Sequence, residues 1–140
     1  MMKYFVFLFI FMGISAANGA EPLLLAADAA YQRARSGKLT LIDIRSPSEW
    51  RQTGVPKAAI AVTMHDSKGV DAFYANVLAA VDRDKSRLIA LICAAGNRSR
   101  WAQGFLAEKG FQNIRNVSEG MFGNGKLPGW LARGLPVTSR

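Results

Sequence analysis

Apolar residues in this chain fall into short blocks, separated by polar stretches with Gly and Pro, and the blocks alternate between helical and strand spacing. Leu24 to Arg35 is Ala-rich with helical spacing and ends near Ser36-Gly37. Leu39 to Ile44 reads as a strand. Ser46-Pro47-Ser48-Glu49 then predicts a helix start, with Ser46 as N-cap, Pro47 at the first helical position and Glu49 reaching back as a capping box; Gly54 and Pro56 stop that helix. Ile60 to Thr63 reads as a further strand, and Val70 to Val81 as a helix with Phe73, Val77, Leu78 and Val81 inward. The run Arg87-Leu88-Ile89-Ala90-Leu91-Ile92 does not alternate, which is the pattern of a strand buried on both faces. After Ser99 a helical stripe carries Trp101, Ala102, Phe105 and Leu106, closed by Lys109 and Gly110. Asn113 to Val117 is another strand, and a last helix is expected around Trp130. Strands alternating with helices predict an α/β domain whose parallel sheet carries helices on both faces.

The first residues follow another pattern. Met1-Met2-Lys3 precedes an apolar block from Tyr4 to Met12, and mostly small residues run from Gly13 to Ala20. A positive start, an apolar centre and small residues at the end make residues 1–20 a secretory signal peptide, cleaved after Ala17, Gly19 or Ala20. The block is shorter than the ~20 apolar residues of a spanning helix. An uncleaved anchor is the competing reading. Residues 21–140 are then one exported domain, periplasmic or secreted, with no membrane insertion once the leader is gone.

Export changes what a single cysteine means. Cys93 cannot form an intramolecular disulfide, and a lone thiol in an oxidising compartment is open to oxidation. It stands at the carboxyl end of the most apolar strand, where open α/β sheets bind ligands, and a short loop, Ala94-Ala95-Gly96-Asn97-Arg98, leads into the next helix at Ser99. The loop N–H groups, the helix N-terminus and the Arg98 charge all favour an anion, so the thiolate is expected to be stabilised. Ser99 is expected to cap the helix and to reach the sulfur with its hydroxyl. A buried, inert cysteine is the alternative that position alone would allow.

This loop resembles the active-site loop of the rhodanese family, the sulfurtransferases that carry sulfane sulfur on a cysteine. Leu41-Ile42-Asp43-Ile44-Arg45-Ser46-Pro47-Ser48-Glu49-Trp50, continuing to Val55-Pro56-Lys57-Ala58-Ala59-Ile60, is similar to the family's first signature. Val117-Ser118-Glu119-Gly120, with Trp130 and Gly134-Leu135-Pro136-Val137, is similar to its closing segment. The resemblance covers the chain beyond the leader and implies a single rhodanese-like domain. It implies nucleophilic sulfur transfer: Cys93 takes sulfur as a persulfide from thiosulfate, a polysulfide or a persulfide, and a thiol or cyanide-like acceptor removes it. A protein sulfur acceptor is a further option, and so is a non-catalytic persulfide carrier or partner-binding module. Ala94, Ala95, Gly96, Asn97, Arg98 and Ser99 line the substrate loop in this reading, and Asp43 and Arg45 are structural support, tying a strand end to the following loop. No cofactor is implied.

Departures from the family pattern sharpen these expectations. Ala94 stands where the commonest loop has an arginine, so one cation for an oxyanion donor is missing. Thr53-Gly54-Val55-Pro56-Lys57-Ala58 lacks the usual histidine, and Glu119-Gly120-Met121 replaces Glu-Gly-Gly. The stretch from Met121 to Gly129 is an insertion that reads as a surface loop, with Met121 and Phe122 expected to pack near the cysteine loop. Phosphatase- or arsenate-reductase-like loops read Cys-x5-Arg, whereas only four residues separate Cys93 from Arg98, a smaller cradle suited to one sulfur atom.

The net charge is +8 and the pI 10.2, yet the basic residues form no dense run, no helix stripe and no aromatic interleaving. Nucleic acid is therefore not expected as a partner; anionic sulfur donors steered by the field are. One cysteine and one histidine, His65, do not make a metal site. A Cys–His pair would require His65 to fold against Cys93.

Overall fold

Strand and helix blocks resolve into a four-stranded, wholly parallel sheet in the computed structural model, which describes residues 23–140. The leader and its cleavage sites lie outside the described residues. In chain order the elements are α1 (Ala27–Arg35), β1 (Thr40–Asp43), α2 (Pro47–Thr53), β2 (Val55–Pro56), β3 (Ala59–Ala61), α3 (Val70–Ala80), β4 (Leu88–Ile92), α4 (Asn97–Glu108), β5 (Asn113–Asn116) and β6 (Val137–Thr138). The sheet order is β3-β1-β4-β5, and β2 pairs with β6 in a separate antiparallel ribbon.

Side chains alternate across the sheet and build two cores. Ile42, Ile89 and Leu91 face Phe73, Val77 and Leu78 of α3 and Ala102 and Leu106 of α4. Leu41, Ala90 and Ile92 face Ala27 and Ala30 of α1, together with Val117, Met121 and Trp130. Ile89 through Ile92 are fully buried, as a central strand with both faces covered requires. Each Ile or Leu among them contributes about 1.5–3 kcal/mol by leaving water.

Three expectations need correction. No helix forms around Trp130: Gly129 and Gly134 have positive φ, and turn bonds such as Arg133 N–H to Gly129 O (3.1 Å) and Leu135 N–H to Trp130 O (3.3 Å) replace a helical ladder. The first helix begins at Ala27 instead of Leu24. Leu24 bridges Asn116 in parallel, with Leu25 N–H donating to Asn116 O (2.9 Å) and Asn116 N–H to Leu23 O (2.8 Å), because the open edge of β5 needs backbone partners. Trp101 is not inward: it is 53% exposed and stacks on Phe105, which is itself only partly buried.

Candidate active site

Cys93 follows the last residue of β4, at the carboxyl edge of the sheet, and is 1% exposed. Gly96 N–H donates to its Sγ at 3.2 Å, and the Ser99 hydroxyl lies 3.3 Å away. Burial pushes the Cys93 thiol up. The Ser99 hydroxyl and the backbone N–H groups of Ser99, Gly96 and Ala95 outweigh that penalty and hold it below the ordinary thiol value. The N-cap of α4 is Gly96, in the left-handed conformation, and not Ser99, which sits one turn into the helix. Ser99 Oγ contacts Gly96 O at 3.2 Å and donates to Asn116 Oδ1 at 2.6 Å.

Two glycines allow this loop to close. Gly96 has φ 92° and Gly120 φ 60°, and a Cβ on either would collide with backbone, that of Ser118 in the first case and of Ala94 in the second. The segment after β5 is thereby locked onto the cysteine loop: Met121 N–H donates to Cys93 O and Phe122 N–H to Ala94 O, each at 2.9 Å. Met121 is buried as expected, while Phe122 turns its ring outward, 59% exposed. The 121–129 insertion therefore starts directly beneath the candidate site. Its far end is held by Glu119, whose carboxylate accepts from Gly129 N–H (2.8 Å), Arg133 Nε (2.7 Å) and Ala27 N–H (2.8 Å). Burial raises the Glu119 pKa, but Arg133 and the two N–H donors hold it lowered overall.

Arg98 is not free to serve the sulfur alone. Its guanidinium grips Glu49 of α2 through Nη2 (2.7 Å) and Nη1 (2.9 Å), and His65 Nε2 lies 3.0 Å from Nη1. The side chain of His65 is thus found on Arg98 and not paired with Cys93. Glu49 also closes the expected capping box, accepting from Ser46 N–H at 2.8 Å. Asp43 and Arg45 pair in full burial, 2.8 Å apart. Arg45 further donates to Thr53 Oγ1 (2.9 Å) and Gly54 O (3.0 Å), tying the end of β1 to the end of α2. Ala95 and Asn97 are exposed at the loop surface, with Ala94 half-buried. Sequence reasoning missed Asn116, which reads only as a strand residue, and the second role of Glu49. Among the described residues no cluster of three or more His, Cys, Asp or Glu side chains could hold a metal, and no helix is long and apolar enough to cross a membrane.

The Rhodanese-like domain family model matches residues 26–124. The chain belongs to this family. The rhodanese-like fold recurs in the polysulfide-sulfur transferase homodimer of Wolinella succinogenes, 29% identical with a TM-score of 0.62 over 84% of this chain and 79% of that one. A rhodanese-related protein of Thermoplasma volcanium shares the rhodanese-like fold at 24% identity and a TM-score of 0.58, over 85% of this chain and 100% of that one. The uncharacterized protein RP600 of Rickettsia prowazekii is 32% identical over 101 residues, 69% of this chain and 80% of the relative. The rhodanese-like assignment places the chain in a sulfur-transfer family.

Proposed function

We propose that this rhodanese-like protein is a sulfurtransferase that carries sulfane sulfur as a persulfide on Cys93. The observation that supports it most is the set of donors around Sγ, the Gly96 N–H at 3.2 Å and the Ser99 hydroxyl at 3.3 Å, which favours the thiolate in spite of burial. The Cys93 thiolate attacks the outer sulfur of the donor, a sulfur–sulfur bond forms, and the donor's own bond to that sulfur breaks, its electron pair leaving with sulfite or a shortened polysulfide. An acceptor thiolate or cyanide-like anion then attacks the outer sulfur and returns the pair to Cys93, in a two-step cycle. Loop N–H groups stabilise the anionic sulfur in both steps.

Polysulfide is the donor we favour over thiosulfate. Ala94 supplies no cation for an oxyanion, and the similar Wolinella succinogenes protein is a polysulfide-sulfur transferase. The neutral Ala94 also favours a second reading, a persulfide carrier with little turnover on free small molecules. Intact-mass spectrometry after exposure to polysulfide or thiosulfate tests the proposal: the protein gains about 32 Da, one sulfur atom on the thiolate, and Cys93→Ser gains none. A mass gain that persists in Cys93→Ser ends it. Steady-state turnover separates enzyme from carrier, and Ala94→Arg raises thiosulfate use if the missing cation limits binding. The leader pattern supports export, with the mature chain starting at Asn18, Ala20 or Glu21; N-terminal sequencing of exported protein reads this directly, and an intact Met1 in the membrane fraction supports the anchor instead.

A further inference from the structure

Ser99 has one hydroxyl proton and three acceptors around it: Asn116 Oδ1 at 2.6 Å, Gly96 O at 3.2 Å and Cys93 Sγ at 3.3 Å. Asn116 is 2% exposed, at the end of β5, and its backbone is fixed on one side by Leu91 of β4 and on the other by Leu23 and Leu25. Its amide has one sensible orientation. Nδ2 donates to Gly96 O at 3.3 Å, whereas the flipped amide would set Oδ1 against that carbonyl, acceptor against acceptor. The amide oxygen therefore faces Ser99 and takes its proton at the shortest of the three distances. While Cys93 is a thiol the arrangement is complete, because S–H donates to Ser99 Oγ and Ser99 donates to Asn116. When the thiol proton leaves, Sγ needs a donor, and Ser99 supplies one only by turning its hydroxyl away from Asn116.

We propose that Asn116 is a positioning residue that competes with Cys93 Sγ for the single proton of Ser99 and so sets how readily the thiol ionises. The inference rests on the reading of Cys93 as the sulfur-carrying nucleophile and adds a residue that acts on it only through Ser99. Asn116 thereby opposes the help that Ser99 gives the thiolate, and yields the Ser99 proton when the thiolate forms. Among the charged and titratable groups nearby, Arg98 senses the Cys93 charge but is paired with Glu49 and touches His65, and the Asp43–Arg45 pair closes on itself at the end of β1. None of these contacts Ser99 or Asn116 among the described hydrogen bonds.

The test is the pH dependence of Cys93 alkylation by iodoacetamide in the purified protein. Asn116→Ala frees the Ser99 proton, so the titration moves down by about half a unit to one unit, the worth of one hydrogen bond. Ser99→Ala moves it up, and the Ser99→Ala/Asn116→Ala double variant titrates with Ser99→Ala. Asn116→Leu, which fills the space without an acceptor, moves it down, and Asn116→Asp, which keeps the acceptor and adds charge, moves it up; these two decide the matter if the alanine variant does not fold. An unchanged or raised titration in both Asn116→Ala and Asn116→Leu overturns the proposal, as does a downward shift that survives in the Ser99→Ala background. Alkylation needs no sulfur donor. A protein that shows this order of titrations but gains no sulfur mass therefore sinks the sulfurtransferase reading and leaves the role of Asn116 standing.

Discussion

Arg98 grips Glu49 with two guanidinium nitrogens, at 2.7 and 2.9 Å, across 49 positions of sequence. The cation expected to favour the thiolate also ties the start of α4 to the start of α2. Arg98 is held in its charged form first by the hydrogen bond to Glu49, and the Cys93 charge acts behind it. Its contribution to the site is therefore shape more than charge.

Arg98→Lys should fail much as Arg98→Ala does. Lys keeps the charge but not the planar fork that spans both carboxylate oxygens. Both variants lose about 1–2 kcal/mol of stability and slow sulfur uptake together, while the Cys93 alkylation profile stays near wild type. A Lys variant that behaves as wild type beside an Ala variant whose alkylation needs higher pH would return the role to charge.

Acid should loosen the same junction. The Arg98 bond holds the Glu49 carboxyl down to about 2 from 4.5, with burial opposing and the Ser46 bonds assisting. A carboxyl depressed in the folded state contributes stability above its unfolded value, and that contribution is lost as pH falls from 4.5 to about 2. Urea unfolding at neutral pH and at about pH 3 measures it: wild type loses about 1 kcal/mol more than Glu49→Gln over this interval, because solvent that reaches the pair screens it.

Gly120→Ala should be costly where Gly37→Ala is not. Both glycines have positive φ, but a Cβ at Gly37 meets nothing within 4 Å, whereas at Gly120 it strikes the Ala94 carbonyl. Gly37→Ala therefore costs about 1 kcal/mol of backbone strain, and Gly120→Ala roughly 2–4 kcal/mol, because the cysteine loop must shift as well. Denaturation gives both numbers. The shifted loop draws the Gly96 N–H from Sγ, so Cys93 alkylation in Gly120→Ala moves to higher pH.

Strands and helices with strong local signals were legible in the sequence. The apolar run ending at Ile92, the Ser46 capping box and the inward Phe73, Val77 and Leu78 all stand where pattern and cap chemistry put them. Trp130 misled because burial and helix are separate matters: an apolar side chain can be fully enclosed from a glycine-broken turn. The stretch Leu23 to Leu25 misled because its conformation is set by the edge of β5, far along the chain. The site divided in the same way. Cys93 and its loop are contiguous, so their place between β4 and α4 was readable; Asn116, Glu49 and His65 reach it only through tertiary contacts, which carry no local signature.

Helix α1 has no side-chain cap of its own at Ala26, and its first N–H, that of Ala27, is capped by Glu119, 92 residues away. Such a helix is completed late. A first turn is the expensive part of helix formation, and here the acceptor that relieves it arrives only after β5 has joined the sheet. The start of the described domain therefore cannot settle until the segment that carries Glu119 is in place. The order of synthesis is thereby inverted at this helix: residues made early are fixed only after Glu119 has followed them.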